Sequence, residues 1–194
     1  MMEELEALKK KAYDLAFSYE QQFGSCSQCV LAALKETIGS DKIPDSVFLA
    51  ASGFGAGIAG GGYTCGALAG GVMAMSCFAG RSYDHFSDLE CIRANMFPMA
   101  RELCDRFEAE YGAQGGTCTA VQTKLLGKSF DLYRGKVVYA NHAAAACGID
   151  AAQDAGEFVE EADEGLRLRL GSICARAQRH ELSDAVLYIA DEYW

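Results

Sequence analysis

From Ser46 to Gly80 the chain carries no Asp, Glu, Lys or Arg. So long an uncharged stretch belongs in a bilayer or in a protein core. Ten glycines fall within it, most of them in its middle, and Ser52, Tyr63, Thr64 and Ser76 interrupt it further. Glycine at that density breaks a continuous spanning helix. Basic flanks of the positive-inside kind are also missing, since Asp45 precedes the run and Arg81 to Asp84 follow it. The run therefore reads as a buried helix, a glycine loop over 53–62 and a second buried helix, with no membrane span. At 51% hydrophobic and 23% charged, the 194-residue chain has the composition of a packed globular protein.

Elsewhere the apolar residues recur with helical spacing. Leu5, Leu8, Ala12, Leu15 and Tyr19 predict an amphipathic helix over 3–22, ended by Gly24. Val30, Leu31, Leu34 and Ile38 predict a second over 26–38, stopped at Gly39. Pro44-Asp45 opens a short helix reaching Ala51. Small residues and methionines make a helix over 65–79. A long one follows over 86–111, kinked at Pro98 and broken by Gly112 and Gly115-Gly116. Further helices are expected from Cys118 to Leu126, over 134–146, over 151–179 (with Val159, Ala162, Leu166, Ile173 and Ala177 on one stripe) and from Ser183 to Trp194. Period-two alternation is nearly absent; its best instance, Lys136 to Tyr139, runs on into alanines. The expected fold is all-α, a helical bundle with a glycine-rich loop, and residues 1–194 form one domain without a solenoid repeat.

Lys+Arg 17 against Asp+Glu 27 leave a net charge of -10, and no basic stripe appears, which argues against a nucleic-acid partner. The acidic run Glu157 to Glu164 reads as a solvated helix face, with Asp163 and Arg167 at i, i+4. The stretch Met1 to Glu6 has neither the basic region nor the apolar region of a signal peptide. A cytoplasmic location is expected, where thiols stay reduced. The nine cysteines are odd in number and cannot all pair. In that compartment they point to metal, cluster or redox chemistry.

Three cysteines share one local grammar: a glycine break, then Ser or Thr, then Cys, then a helix. These are Gly24-Ser25-Cys26, Gly62-Tyr63-Thr64-Cys65 and Gly115-Gly116-Thr117-Cys118. Ser or Thr before an apolar periodic run is an N-cap signal, and Ser25 to Gln28 matches the capping box. Cys26, Cys65 and Cys118 are thus expected at the first positions of three helices. There the free N–H groups and the helix dipole favour a thiolate, the form that attacks and that binds metal. Chance Ser-Cys and Thr-Cys pairs and simple burial are the competing explanation, which three repeats of the same pattern weaken.

Cys65-Gly66-Ala67-Leu68-Ala69-Gly70 resembles the Cys-Gly-Ala-x-x-Gly motif of the C_GCAxxG_C_C family of redox-active proteins. The helix start from Ser25 to Leu31, the break from Tyr111 to Cys118, and Cys147 are similar to the family's other signature positions. The resemblance covers roughly residues 10–165, leaving about 166–194 as a C-terminal helical extension. It implies a helical, cytoplasmic or membrane-adjacent redox protein. A similar domain in split-Soret cytochromes c implies an iron–sulfur cluster with Cys26, Cys65, Cys118 and Cys147 as the four ligands. Electron transfer or redox sensing would follow, with a redox partner protein that the sequence does not name. No C-x-x-C-H occurs, so covalent haem is not expected.

Cys29 departs from the family pattern, which has Ala there, and creates Cys26-x-x-Cys29. Thiol–disulfide exchange using Cys26 with Cys29 or Cys65 is therefore an alternative, although the βαβ context of such motifs is missing. A non-catalytic helical partner of a transporter is a third. Cys77, Cys91, Cys104 and Cys174 fall inside expected helices and read as structural. Gly55 to Gly60 spells G-x-G-x-x-G without the strand that a dinucleotide site needs, so its expected role is to bring backbone close to Cys65. His142 is a candidate supporting group near Cys147. Zinc is disfavoured because only Cys26 and Cys29 have zinc-pair spacing. The small-residue face Gly66, Ala67, Gly70, Gly71 and Ala74 suits either the core or a homodimer interface.

Overall fold

The computed structural model describes residues 2–129, apart from 40, 112, 113 and 127. Six helices appear in this span: α1 (Met2–Gln22), α2 (Cys26–Ile38), α3 (Asp45–Ala50), α4 (Gly66–Ala79), α5 (Ile92–Tyr111) and α6 (Cys118–Leu126). Short 3₁₀ turns at Ala51–Phe54, Tyr83–His85 and Gln114–Gly116 join them. Among the described residues there is no strand, only an isolated antiparallel bridge between Thr64 and Thr117. The all-α expectation holds. The helices expected over 134–146, 151–179 and 183–194 lie outside the described residues, as do Cys147, Cys174, His142 and the acidic run.

α2 is the central element, lying between α1 and α4, while α4 also packs on α5. Its Val30, Leu31, Ala33 and Leu34 are fully buried. Ala12 and Ala16 of α1 close one side, and Ala67, Leu68, Ala74 and Met75 of α4 close the other. Along α5 the buried stripe runs Met96, Met99, Leu103, Phe107 and Tyr111, at helical spacing. Side chains of this kind each contribute roughly 1.5–3 kcal/mol on full burial.

The small-residue face of α4 is used inside this core. A β-carbon on Gly70 would stand 2.6 Å from the Ser27 carbonyl oxygen, and one on Gly71 would stand 3.3 Å from Leu103. Glycine at these two places is what lets α4 approach both α2 and α5. No helix among the described residues is long and apolar enough to cross a membrane.

α5 starts later than its periodicity suggests. Residues 86–91 form a turn in which Asp88 and Cys91 take φ of 59° and 55°. The Asp88 carboxylate accepts the Arg93 N–H at 3.2 Å and faces Arg81 at 3.8 Å and the Arg93 side chain at 3.4 Å. Cys91, expected inside a helix, is instead exposed in that turn. Cys77 and Cys104 do lie in helices and are half-buried.

Candidate functional site

Cys26 is the first residue of α2, and Cys118 is the first of α6. Cys65 sits one place earlier than expected, as the N-cap of α4 with φ −56° and ψ 130°. All three are buried, with exposures of 6%, 5% and 9% for Cys26, Cys65 and Cys118. The starts of α4 and α6 are stitched together by backbone. The Cys65 N–H donates to the Gly116 carbonyl at 2.8 Å, and the Cys118 N–H donates to that of Tyr63 at 2.6 Å. One residue further, the Thr119 N–H and hydroxyl both donate to the Gly62 carbonyl, at 3.1 and 2.9 Å.

Cys26 joins this pair from α2. A β-carbon on Gly66 would overlap the Cys26 sulfur and stand 2.7 Å from the Phe54 carbonyl oxygen. The Cys26 sulfur therefore lies against the N-terminal turn of α4 as well as at the start of its own helix. The glycine loop covers it. Ala56, Gly57, Ile58, Ala59 and Gly60 all have positive φ, a short left-handed coil. A β-branched residue at φ 59°, as at Ile58, is a backbone outlier, and such strain is held only by surroundings that fix it. Here they do. The Ala56 N–H is hydrogen-bonded to the Cys26 sulfur, and a β-carbon on Gly57 would stand 2.7 Å from that of Cys118. The loop's close approach is thus to Cys26 and Cys118, and at Phe54 and Gly55 to Gly66, the residue that follows Cys65.

The capping expectation holds in one case of three. Thr117 Oγ1 accepts the Ala120 N–H at 3.2 Å. Ser25 is left-handed, at φ 66° and ψ 71°, and makes no cap bond; its hydroxyl faces Gly55, buried and without a hydrogen-bond partner. The amide of Gln28, the other half of the expected box, donates to the Phe48 carbonyl at 3.2 Å instead. Thr64 pairs with Thr117 through backbone, and Cys65 takes the cap position.

Two polar residues at the site escaped the sequence reading. Glu20, in the last turn of α1, is only 8% exposed. Its charge acts on Cys29, Cys26 and Cys118. A signal was available: Glu20 continues the fully buried series Ala12, Ala16 at spacing four. Gln122, one turn into α6, donates from Nε2 to the Cys118 sulfur at 3.3 Å. Cys29 lies one turn into α2, 3% exposed, and its thiol donates to the Gly24 carbonyl at 2.9 Å.

Burial pushes the Cys26 thiol up, and the charges of Glu20 and Cys118 add to the rise against the N–H groups of Ala56 and Ser27. Burial and then Glu20 push Cys29 up. Cys118 is raised by burial, an effect that the Gln122 amide opposes and Glu20 reinforces. Each of these thiols is a neutral group until something compensates its charge. Among the described residues no three of His, Cys, Asp and Glu stand together as a site for a metal ion.

Three segments far apart in sequence thus bring the helix starts at Cys26, Cys65 and Cys118 together around the glycine coil, in the order that the signature spells. No curated protein and no solved structure matches the chain. The family model described as "Putative redox-active protein (C_GCAxxG_C_C)" matches residues 24–162, well over half of the chain, and the protein belongs to that family.

Proposed function

We propose that the protein is a redox protein whose centre is an iron–sulfur cluster held by Cys26, Cys65, Cys118 and Cys147, serving electron transfer or redox sensing. The observation that supports this reading is the convergence of three helix starts, each with a buried cysteine, where Gly57 of the coil and Gly66 of α4 leave room for close approach to Cys118 and Cys26. The donor set fits. Four thiolates suit a [2Fe–2S] or [4Fe–4S] cluster. Such a cluster supplies a one-electron couple and the metal charge that buried thiolates need. The chain supplies the rest. Ala56 and Ser27 direct N–H groups at the Cys26 sulfur, and Gln122 directs its amide at Cys118. Donors of this kind and the helix N-termini stabilise negative sulfur, and with low solvent exposure they set the potential.

Anaerobic purification, a visible spectrum, and iron and sulfide counted per chain test the reading. Brown protein with stoichiometric iron and sulfide is expected. Loss of the colour is expected when Cys26, Cys65, Cys118 or Cys147 becomes Ala, with retention in Cys29→Ala. Colourless protein after anaerobic reconstitution refutes it.

One observation favours a second reading, dithiol chemistry at Cys26 and Cys29. The Glu20 carboxylate beside Cys29 can take a thiol proton as the pair closes to a disulfide and a disulfide substrate is reduced to two thiols. That activity survives Cys147→Ala and is abolished by Cys26→Ala.

A further inference from the structure

Among the described residues one buried side-chain oxygen has no hydrogen-bond partner, the Oγ of Ser25. Native structures leave few such groups, because a buried hydroxyl without a partner costs more than a made hydrogen bond returns. The position of this one is fixed. The Ser25 backbone is left-handed at φ 66°, and its carbonyl accepts the N–H groups of Gln28 and Cys29 at 2.8 and 3.0 Å. Its hydroxyl lies against the glycine coil, 3.2 Å from where a β-carbon on Gly55 would stand. Gly55 in turn adjoins Gly66, and Gly66 adjoins the Cys26 sulfur. The hydroxyl thus sits at the start of α2, where the coil, α4 and Cys26 meet. We infer that Ser25 is a hydrogen-bond donor to the centre, its hydroxyl donating to a sulfur of the iron–sulfur cluster; the inference rests on the cluster reading given above.

The donors already at this corner set the pattern. The N–H groups of Ala56 and Ser27 are directed at the Cys26 sulfur. α2, a helix of 13 residues, turns its N-terminal end to the same place, and that end favours negative charge. The corner therefore offers hydrogens and a positive potential, and an electron-rich acceptor completes it. Cluster sulfur is such an acceptor. Ser27 gives the contrast. Its hydroxyl is fully buried and donates to the Ala51 carbonyl at 2.9 Å. A serine two residues further along α2 thus finds its acceptor within the chain, and Ser25 does not. A donor to cluster sulfur stabilises the more negative, reduced state and so raises the potential.

The test is an anaerobic spectroelectrochemical titration of the reconstituted full chain as wild type, Ser25→Ala and Ser25→Gly, with iron and sulfide counted on every sample. Ser25→Gly removes the left-handed strain along with the hydroxyl, so the two variants separate a lost donor from a relaxed backbone. Both should disfavour reduction about tenfold, a fall of about 59 mV for a one-electron couple, with iron and sulfide unchanged. Urea unfolding of the metal-free protein is the second readout: Ser27→Ala lowers the midpoint and Ser25→Ala does not. An unchanged potential with full iron, as a water on the hydroxyl would give, overturns the inference and leaves the cluster reading standing. A shift in only one variant, or loss of iron from either, overturns it too. So does a metal-free midpoint that falls as far in Ser25→Ala as in Ser27→Ala, since the hydroxyl then has its partner within the chain. Wild-type protein without iron after reconstitution refutes the cluster and the donor together.

Discussion

Gly66→Ala is the sharpest perturbation of the site geometry. The new methyl group would overlap the Cys26 sulfur and lie 2.7 Å from the Phe54 carbonyl oxygen and 3.4 Å from the Gly55 α-carbon. Two of these neighbours are backbone atoms, and the third is a short, buried side chain with no room to swing away. Overpacking of this kind costs about 1–3 kcal/mol. Alanine returns up to ~1 kcal/mol of helix propensity, less at a helix start. The net expectation is a loss of about 1–2 kcal/mol. With a urea m-value of about 2 kcal/mol/M, the unfolding midpoint of the metal-free, reduced protein falls by roughly 0.5–1 M with m unchanged. Gly53→Ala is the matched control, since nothing lies within 4 Å of its β-carbon, and it should leave the midpoint in place. Equal midpoints for wild type and Gly66→Ala would refute the packing of Cys26 against the start of α4.

Other outcomes follow from the same geometry. In Glu20→Gln the carboxylate that raises Cys26, Cys29 and Cys118 is gone, so alkylation of these thiols by iodoacetamide should begin at lower pH than in wild type; an unchanged profile refutes the electrostatic role. The folded-state values of these three thiols stand above the unfolded value of about 8.5. Their contribution is therefore complete below that pH and is lost as pH rises toward the folded values. Metal-free protein should lose up to about 1.4 kcal/mol of stability per group per pH unit above pH 9, read as a falling urea midpoint between pH 8 and 10. Ala59→Gly relieves a left-handed alanine at φ 50° on the exposed side of the coil. A gain of about 0.5–1 kcal/mol is expected in the same denaturation assay, the relief of strain exceeding the added chain entropy.

Much of this was legible before the structure, and the limits have physical causes. Helix positions followed from apolar spacing because burial on one face sets that spacing, as in α2, where Val30, Leu31 and Leu34 are fully buried as expected. Ends were less legible, because they depend on single side chains. Asp88, by taking the Arg93 N–H and facing two arginines, moves the start of α5 and leaves Cys91 outside it. The three cysteine starts were readable as grammar, but the geometry that unites them is tertiary. Nothing near Gly57 in sequence announces Cys118, and nothing near Gly66 announces the sulfur of Cys26. Glu20 was hidden for a different reason: a charged residue in phase with alanines looks like an error of the pattern until its partners arrive from α2 and α6.

The bond from Thr119 to the Gly62 carbonyl joins residues 57 positions apart. Along with the Thr64–Thr117 bridge it fastens the glycine coil, so the coil cannot close on a nascent chain until α6 has been made. At ribosomal speeds of 5–20 residues per second, that leaves roughly 3–10 s after Gly62 is added. During this interval Cys26 and Cys65 are already present and uncovered, still within reach of the translation machinery's surroundings. Delivery of a metal, or damage by an oxidant, has its easiest access then, and the finished fold shuts that access from both sides of the coil at once.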